Sequence, residues 1–466
     1  MDRPNILLIY TDQQRWDALG INGNADIKTP NLDQLGDEGL NFDRFFVQNP
    51  VCMPSRISML SGLYPSTLGI LRNGVPVSED TTTLPHLLHN YGYHCANIGK
   101  LHFLPHANRD HRDPHPAYGF DHLEISDEPG CYEDAYRAWV SRKAPEEMDA
   151  ISVGLPPATS IWQKTMQVDD GIHHPDERFP KEAIPFGSRS DLTHSAFVAE
   201  QTMAYVEQHR DEPFFCIAGF YSPHSPWVAP QTFIDLYDPE SLALPEFPLE
   251  ANARRSEAAF SDQELRAARQ GYYAMVSEVD HHVGRILACL EELGLAENTI
   301  VVFTSDHGEW LGEHLRYGKG YPGHDCVSRV PMIVRWPWGL RAPGRTEHAL
   351  LEAVDLVPTL LECAGIPTPY HLQGRSFHAL LQDEAYVERA SALTEMDGWK
   401  TLRTDRFRYV VEVDGRESLF DLEQDPAAYH DLAAEPAFSE TLADLRRQTL
   451  IRLLERERPM PRVWPY

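Results

Sequence analysis

Two continuous apolar segments, each with an acidic side chain at its end, constrain the fold of this chain more than any other feature. Asn5–Tyr10 and Thr299–Ser305 are too short for buried helices, and Asp12 and Asp306 stand at or just past their ends. An apolar run without alternation is typical of a strand that is buried on both faces, as in a parallel sheet covered by helices. The two segments therefore predict an α/β fold.

Helical patterns alternate with further strands of this kind. Thr29 is a capping residue, Pro30 occupies the first helical position and Gly39 is a stop signal, so we predict a helix between them. A longer helical periodicity covers Ser261–Leu293. Further buried strands are predicted at Cys95–Gly99, Phe214–Gly219 and Val330–Arg335. Strands that alternate with helices indicate a sheet with helices on both faces.

The character of the sequence changes from about Pro367 onward. Four short strand-like segments follow, separated by turn residues, at Ala392–Glu395, Lys400–Arg403, Phe407–Val413 and Ser418–Leu422. A helix is predicted at roughly Ala437–Arg456. At 466 residues the chain is long enough for one large domain and a smaller one. We therefore predict a catalytic α/β domain over 1–366 and a smaller C-terminal α+β subdomain over 367–466.

Residues 105–190 form a long insertion in the predicted large domain. This segment is rich in Pro, Asp and His, and its periodicity is weak. Such a long connection is usually functional or disordered, and we expect it to line the substrate pocket. Its histidines lack a metal-binding spacing and are predicted to be solvated (His106, His111, His115 and His122).

Charge and cysteine usage narrow the class of partner and the compartment. The chain has 41 basic and 70 acidic side chains, a formal net charge of −29. A surface this negative repels phosphate backbones, which argues against nucleic acid, and any anion site must be a local concentration of cations. The first apolar run is too short for a signal segment or a membrane span. The seven cysteines show no disulfide or metal spacing, so the prediction is a cytoplasmic protein without a membrane partner.

The acidic residues at the strand ends predict a cation site. Parallel strands present their carboxyl ends at one edge of a sheet, where ligands bind. Asp12 is followed by Gln13, and Asp306 by His307. Two carboxylates, an amide oxygen and an imidazole can together hold one divalent cation. On this observation alone, each Asp could equally be a turn former or a helix cap.

A cysteine motif provides a more specific signal. Cys52, Pro54 and Arg56 form a Cys-x-Pro-x-Arg sequence that resembles the modification motif of the sulfatase family. In that family the cysteine is oxidised to formylglycine, an aldehyde that exists as its hydrate. A buried structural cysteine is the alternative for this residue taken alone.

Other segments resemble the same family in the same order along the chain. Gly99-Lys100-Leu-His102 is similar to the family's second signature, and Ser222-Pro-His224-Ser-Pro to the segment that provides a leaving-group histidine. Thr304-Ser-Asp306-His307 resembles the second metal segment, and Lys319 stands where the family has a sulfate-binding lysine. Leu419-Phe-Asp-Leu through Leu432 resembles the family's closing strand and turn.

The resemblance implies a fold and a metal site. The implied fold is an alkaline-phosphatase-like α/β sandwich, with a large, mostly parallel mixed sheet between helices and a small C-terminal α+β subdomain. Asp12, Gln13, Asp306 and His307 are implied to bind one divalent metal ion, with modified Cys52 as a further ligand. Calcium is favoured and manganese is the second choice.

The resemblance also implies roles for the basic residues. Arg56, Lys100 and Lys319 would stabilise the nucleophile and the sulfate oxygens. His102 would be the base for the second hydroxyl of the hydrate, and His224 the acid for the leaving group. The implied activity is hydrolysis of a small-molecule sulfate ester, as in arylsulfatases, after maturation by a formylglycine-generating enzyme. A homo-oligomer remains open.

Two residues depart from the common sulfatase pattern. Gln13 and His307 replace the Asp and Asn that are more frequent in the family, and the combination resembles the phosphonate monoester hydrolase branch. The nearest alternative is therefore a phosphonate monoester or phosphodiester hydrolase with the same formylglycine. A phosphatase or phosphomutase would carry Ser or Thr in place of Cys52. A non-catalytic binding protein would have lost site residues, and none is missing here.

Overall fold

A large sheet between two layers of helices forms most of the molecule. The computed structural model describes residues 3–154, 156–168, 171–175, 182–255 and 260–457. The strands are β1 Asn5–Thr11, β2 Leu40–Phe42, β3 Phe45–Phe46, β4 His94–Gly99, β5 His122–Ile125, β6 Ile184–Pro185, β7 Phe214–Gly219, β8 Val228–Ala229, β9 Thr299–Ser305, β10 Arg329–Val330, β11 Met332–Arg335, β12 Arg345–Glu347, β13 Leu351–Glu352, β14 Ala392–Met396, β15 Trp399–Arg403, β16 Phe407–Glu412 and β17 Glu417–Asp421.

The α-helices range from single turns to a helix of 31 residues, α10. They are α1 Pro30–Glu38, α2 Cys52–Ser61, α3 Pro65–Leu68, α4 Leu84–His89, α5 Ala135–Lys143, α6 Pro156–Met166, α7 His194–Gln208, α8 Gln231–Ile234, α9 Leu249–Arg255, α10 Asp262–Glu292, α11 Asp325–Ser328, α12 Leu356–Cys363, α13 His378–Leu381 and α14 Ser439–Leu454. Within the described residues, no helix is both long and apolar enough to cross a membrane.

The main sheet has eight strands in the order β12-β2-β11-β9-β1-β7-β4-β5. Strands β9, β1, β7, β4 and β5 are parallel, and β11 is antiparallel to both of its neighbours. Successive residues of β1 point to opposite faces. Leu8 packs in the core on the side of α2 and α12, and Leu7 packs in the core on the side of α7 and α10. This double burial explains the continuous apolar sequence of β1.

The predicted α/β class is confirmed, and most predicted elements match the structure within one or two residues. The predicted strand Val330–Arg335 is an exception, because it is two strands. Val330 ends β10 in a small three-stranded sheet, and Met332 begins β11 in the main sheet. Pro331 lies between them and has no N–H group to donate to a continuous ladder.

The C-terminal part contains the predicted small antiparallel sheet, in the order β14-β15-β16-β17, with α14 packed against it. Buried ion pairs join it to the large domain: Asp325 of α11 accepts from Arg408 at 2.7 Å, and Glu352 of β13 accepts from Arg452 at 2.7 Å. The boundary at residue 367 stays a prediction. Phe377 still packs in the core of the main sheet, although the small sheet begins only at Ala392.

The segment 105–190 includes β5 at the edge of the main sheet as well as α5 and α6. The expectation that its histidines are solvated is wrong for His106, which is 8% exposed. Its ring stacks on that of His102 with centroids 4.3 Å apart. Burial lowers the pKa of His106 to about 4, so the ring is neutral and packs as an aromatic group. Residues 155, 169–170 and 176–181 of this segment lie outside the described residues.

Candidate active site

The register of two central strands brings the strand-end acids together. Thr11 of β1 pairs with Ser305 of β9, so Asp12 and Asp306 follow at the same edge of the sheet. Both side chains are fully buried. The Gln13 N–H donates to Asp306 Oδ1 at 3.0 Å. This edge is the carboxyl end of the parallel strands, where open α/β sheets bind ligands.

Cys52 is the first residue of the fully buried helix α2 and lies between the two acids. Its Sγ is 3.2 Å from His307 Nε2 and 3.8 Å from Asp12 Oδ1. Lys319 Nζ lies 2.7 Å from Sγ and 3.3 Å from His307 Nε2. Burial, with Asp12 adding to it, raises the pKa of the Cys52 thiol to about 11. Position 52 is therefore in contact with both the acidic and the basic groups of the site.

The donor set at this point fits a divalent cation. Ligand atoms of Asp12, Cys52, Asp306 and His307 all lie within 4.8 Å of one another. The ring N–H of His307 at Nδ1 donates to the Gly308 carbonyl at 2.9 Å, so the lone pair of Nε2 faces the cluster. Gln13 Oε1 is buried and has no hydrogen-bond partner among the described residues. An orphaned amide oxygen beside two carboxylates and an imidazole is the arrangement expected of a metal site.

Two buried cations offset the charge of the carboxylates. Arg56 Nε donates to Asp306 Oδ2 at 2.7 Å, and Lys100 Nζ lies 2.5 Å from Asp12 Oδ2. Burial alone would raise the pKa of Asp12, but Lys100 and other cations hold it well below its usual value. The Arg56 guanidinium also lies over the Tyr10 ring, 4.6 Å from its centroid. These side chains form the local concentration of cations that an anion site needs in a chain with a net charge of −29.

Lys319 and His224 form a contact pair beside Cys52. Lys319 Nζ is 3.0 Å from His224 Nε2. His224 Nδ1 is 2.6 Å from the Ser225 carbonyl, so its proton is on Nδ1 and its Nε2 accepts from Lys319. Burial and the neighbouring Lys319 hold the pKa of His224 well below its usual value. In this arrangement Lys319 is charged and the imidazole of His224 is neutral.

His102 is buried beside this cluster, but its ring contacts His106. Its backbone N–H donates to Asp127 Oδ1 at 2.8 Å, which fixes the loop after Lys100. Burial and His106 hold the pKa of His102 well below its usual value, so the ring is neutral and can accept a proton. Its Nδ1 has no hydrogen-bond partner among the described residues.

Two residues that support the site, Asp127 and Glu309, were not predicted from the sequence. Asp127 anchors the backbone at both Leu101 and His102. Glu309 is fully buried and accepts from the side chain of Gln13. Glu309 could have been found from its position in the Asp-His-Gly-Glu segment, two residues after His307. A carboxylate in a buried turn requires a hydrogen-bond partner.

These features define a class of protein: an alkaline-phosphatase-like α/β fold with a metal-type cluster and a cysteine at the carboxyl edge of the sheet. The sulfatase family model matches residues 4–366, and a model described as the C-terminal part of N-sulphoglucosamine sulphohydrolase matches residues 312–455. The chain belongs to the sulfatase family.

Individual relatives extend over nearly the whole chain. An arylsulfatase from Clostridium perfringens is 30% identical, over 97% of this chain and 95% of its own length. A multifunctional alkaline phosphatase superfamily protein from Trinickia caryophylli is 28% identical over the same shares. Among solved structures, a phosphonate monoester hydrolase from Agrobacterium radiobacter aligns with a TM-score of 0.83 at 25% identity, covering 97% of this chain and 96% of that one. The predicted membership of the alkaline phosphatase superfamily is thus confirmed.

Proposed function

We propose that this chain hydrolyses a small-molecule sulfate monoester, as arylsulfatases do, through a formylglycine hydrate derived from Cys52. One observation carries the proposal: Cys52, within its Cys-x-Pro-x-Arg motif, contacts both the acidic cluster and Lys319. A hydrated aldehyde at this position would place one hydroxyl toward the ligand set of Asp12, Asp306 and His307. Family membership supports the activity.

The chemistry explains why an aldehyde hydrate is needed. One hydroxyl attacks sulfur, and the new O–S bond forms as the bond from sulfur to the leaving oxygen breaks. The attacking hydroxyl loses its proton and the leaving oxygen gains one, so the proton count of this step balances. Loss of the proton from the second hydroxyl then allows the C=O bond to form and the bond from carbon to the sulfate oxygen to break. Sulfate departs, and water restores the hydrate.

The acidic and basic side chains divide the work of this reaction. Asp12, Gln13, Asp306 and His307 would hold the divalent cation together with position 52. When bound, the cation supplies Lewis-acid stabilisation of the developing negative charge. Arg56, Lys100 and Lys319 are ammonium or guanidinium groups fixed by buried contacts, and they stabilise the sulfate oxygens in the transition state without reorganisation.

Proton transfer is assigned to two histidines and a lysine. His102 is the base for the second hydroxyl, because burial keeps its imidazole neutral. His224 is the acid for the leaving oxygen. Because its Nε2 accepts from Lys319 at 3.0 Å, the proton reaches the leaving group through the Lys319–His224 pair.

A phosphonate monoester or phosphodiester hydrolase is the second candidate. Gln13 and His307 favour it, as does the likeness to the Agrobacterium radiobacter phosphonate monoester hydrolase. The Gly-Lys-x-His segment with Lys100 and His102 favours the sulfatase, because it resembles the sulfatase form of the second signature. Matched 4-nitrophenyl sulfate and 4-nitrophenyl phenylphosphonate distinguish the two, because both release the same phenolate. We expect the larger kcat/KM on the sulfate, and a larger value on the phosphonate would establish the second candidate instead.

The proposal extends to the maturation of the enzyme, its cellular compartment and its oligomeric state. A formylglycine-generating enzyme would oxidise Cys52. All seven cysteines are free thiols, which supports a reducing compartment such as the cytoplasm. A homo-oligomer is compatible with the proposal and is tested by light scattering.

Metal removal should abolish turnover. Asp12 and Asp306 contribute charge to the same cation from different strands, so either change to Ala should remove metal and activity together. We expect calcium to restore the activity of a chelator-treated preparation better than manganese. Most of the proposed ligands are hard oxygen donors, and His307 is the softer ligand. The hydrolysis rate and the metal content of each protein are measured. The control is Asp414→Ala, which removes an exposed carboxylate paired with Arg416. Full activity in a metal-free preparation would exclude the metal role.

A further inference from the structure

Glu309 makes a set of contacts that the proposed reaction does not use. It is fully buried, in the turn that follows β9. Its Oε1 accepts from the backbone N–H groups of Leu311, at 3.1 Å, and of Gly318. Its Oε2 accepts from Gln13 Nε2. A buried carboxylate that makes three such contacts holds its surroundings in one geometry.

The carboxylate fixes the orientation of the Gln13 amide. Oε1 of Glu309 accepts from two backbone N–H groups and Oε2 accepts from Gln13 Nε2, so the carboxylate holds the NH₂ of Gln13 toward it. The amide oxygen of Gln13 is then turned away from Glu309, and this is the buried oxygen that lacks a partner. The backbone of Gln13 is also fixed, since Tyr272 donates to its carbonyl at 2.8 Å and its own N–H donates to Asp306. Only the side-chain rotation remains, and Glu309 determines it.

The same carboxylate fixes the loop that carries Lys319. Gly318 directly precedes Lys319, and its N–H donates to Glu309 Oε1. The Trp310 N–H donates to the Gly318 carbonyl at 2.9 Å, which closes the loop next to Glu309. Lys319 in turn reaches Cys52 and His224. One buried side chain thus connects a candidate metal ligand, Gln13, with the loop of the cation that contacts Cys52.

We infer that Glu309 is a positioning residue that directs the Gln13 amide oxygen at the metal ion and holds the Lys319 loop against the nucleophile. The inference rests on the proposed metal role of Gln13. It also explains a departure from the common family pattern. An aspartate at position 13 would bring a second carboxylate toward Glu309, whereas glutamine donates to Glu309 and offers its oxygen to the cation.

Glu309→Gln is the test, because it keeps size and removes charge. The oxygen of the new amide is needed to accept from the two backbone N–H groups, so its NH₂ faces the NH₂ of Gln13. Two NH₂ groups repel each other, and the Gln13 amide therefore flips. The flipped Gln13 presents its NH₂, instead of its oxygen, to the cation. We expect Ca²⁺ to bind metal-stripped protein about 10–100-fold more weakly, the range typical of changes behind a metal ligand. Titration calorimetry with Ca²⁺ alone measures this, so failure of the sulfatase proposal leaves the result interpretable.

Four further proteins make the test specific. Glu395→Gln is the matched control, because Glu395 of β14 is also fully buried but pairs with Lys400 and Arg456, and it should leave Ca²⁺ affinity unchanged. In a Gln13→Ala background, Glu309→Gln should weaken Ca²⁺ binding no further. Glu309→Asp keeps the negative charge and is less disruptive to folding. Its shorter side chain should keep the contacts with the backbone but no longer contact Gln13, so this variant should also bind Ca²⁺ more weakly. A lower melting temperature with unchanged Ca²⁺ affinity, or an equal loss of affinity in both backgrounds, would overturn the inference.

Discussion

Replacing Cys52 with alanine should lower turnover at least about 10³-fold, because loss of a covalent nucleophile leaves only the binding and electrostatic contributions. Wild-type protein produced together with a formylglycine-generating enzyme should show an aldehyde at position 52 by peptide mass spectrometry. Its activity should rise in proportion to the converted fraction. Fully active protein with an unmodified Cys52 would exclude the mechanism.

Cys52→Ser separates the aldehyde hydrate from an ordinary nucleophile. A serine hydroxyl can attack sulfur, but it has no second hydroxyl on the same carbon whose proton loss expels sulfate. In the absence of the modifying enzyme, we expect a single turnover that stops at a stable sulfate ester on Ser, visible as added mass on that peptide. Cys289→Ser, at a half-buried cysteine on α10, is the matched control and should leave turnover unchanged.

Replacing His224 with alanine should slow a poorly activated ester far more than an activated aryl ester. Nitrophenolate leaves readily without a proton, whereas an alkoxide needs one. We expect a loss approaching ~10²–10⁴-fold on an alkyl sulfate, the range of general acid catalysis, and a much smaller loss on 4-nitrophenyl sulfate. Lys319 Nζ lies 3.0 Å from His224 Nε2 and is the group that would pass a proton to it in this proposal.

A purely structural role for His224 predicts a different pattern. His224 lies in a turn in which its Nδ1 is 2.6 Å from the Ser225 carbonyl, and loss of a turn residue lowers stability. Both esters would then be slowed by similar factors. Melting curves for the wild type, His224→Ala and the neighbouring control Ser225→Ala measure this contribution. Equal slowing of the two esters would remove His224 from the proton-transfer pathway.

Local sequence was sufficient for the elements whose environment is the same along their whole length. Strands β1 and β9 are buried on both faces, so their apolar runs marked them without knowledge of any partner. The helical periodicity over Ser261–Leu293 likewise predicted α10, which spans Asp262–Glu292. The acids at the strand ends were also readable, because parallel strands end at a common edge.

Local sequence failed where the outcome depended on a distant partner. Val330–Arg335 reads as one apolar strand, but its two halves pair with different sheets on either side of Pro331. His106 reads as a polar loop residue, but it is buried because His102 and Tyr132 offer aromatic faces to it. Composition indicates whether a residue is polar, whereas its burial is determined by what packs against it.

The sequence by itself determined the α/β class, the family and the residues that carry the candidate chemistry. Only the tertiary structure determined how those residues meet: Lys319 against His224, and Glu309 against Gln13. These pairs are 95 and 296 positions apart in the chain. Hydrogen bonds act over about 3 Å, and periodicity within one segment carries no information on which distant group will lie at that distance. The order of the strands in the sheet and the closure of the loop between Glu309 and Gly318 supply that information.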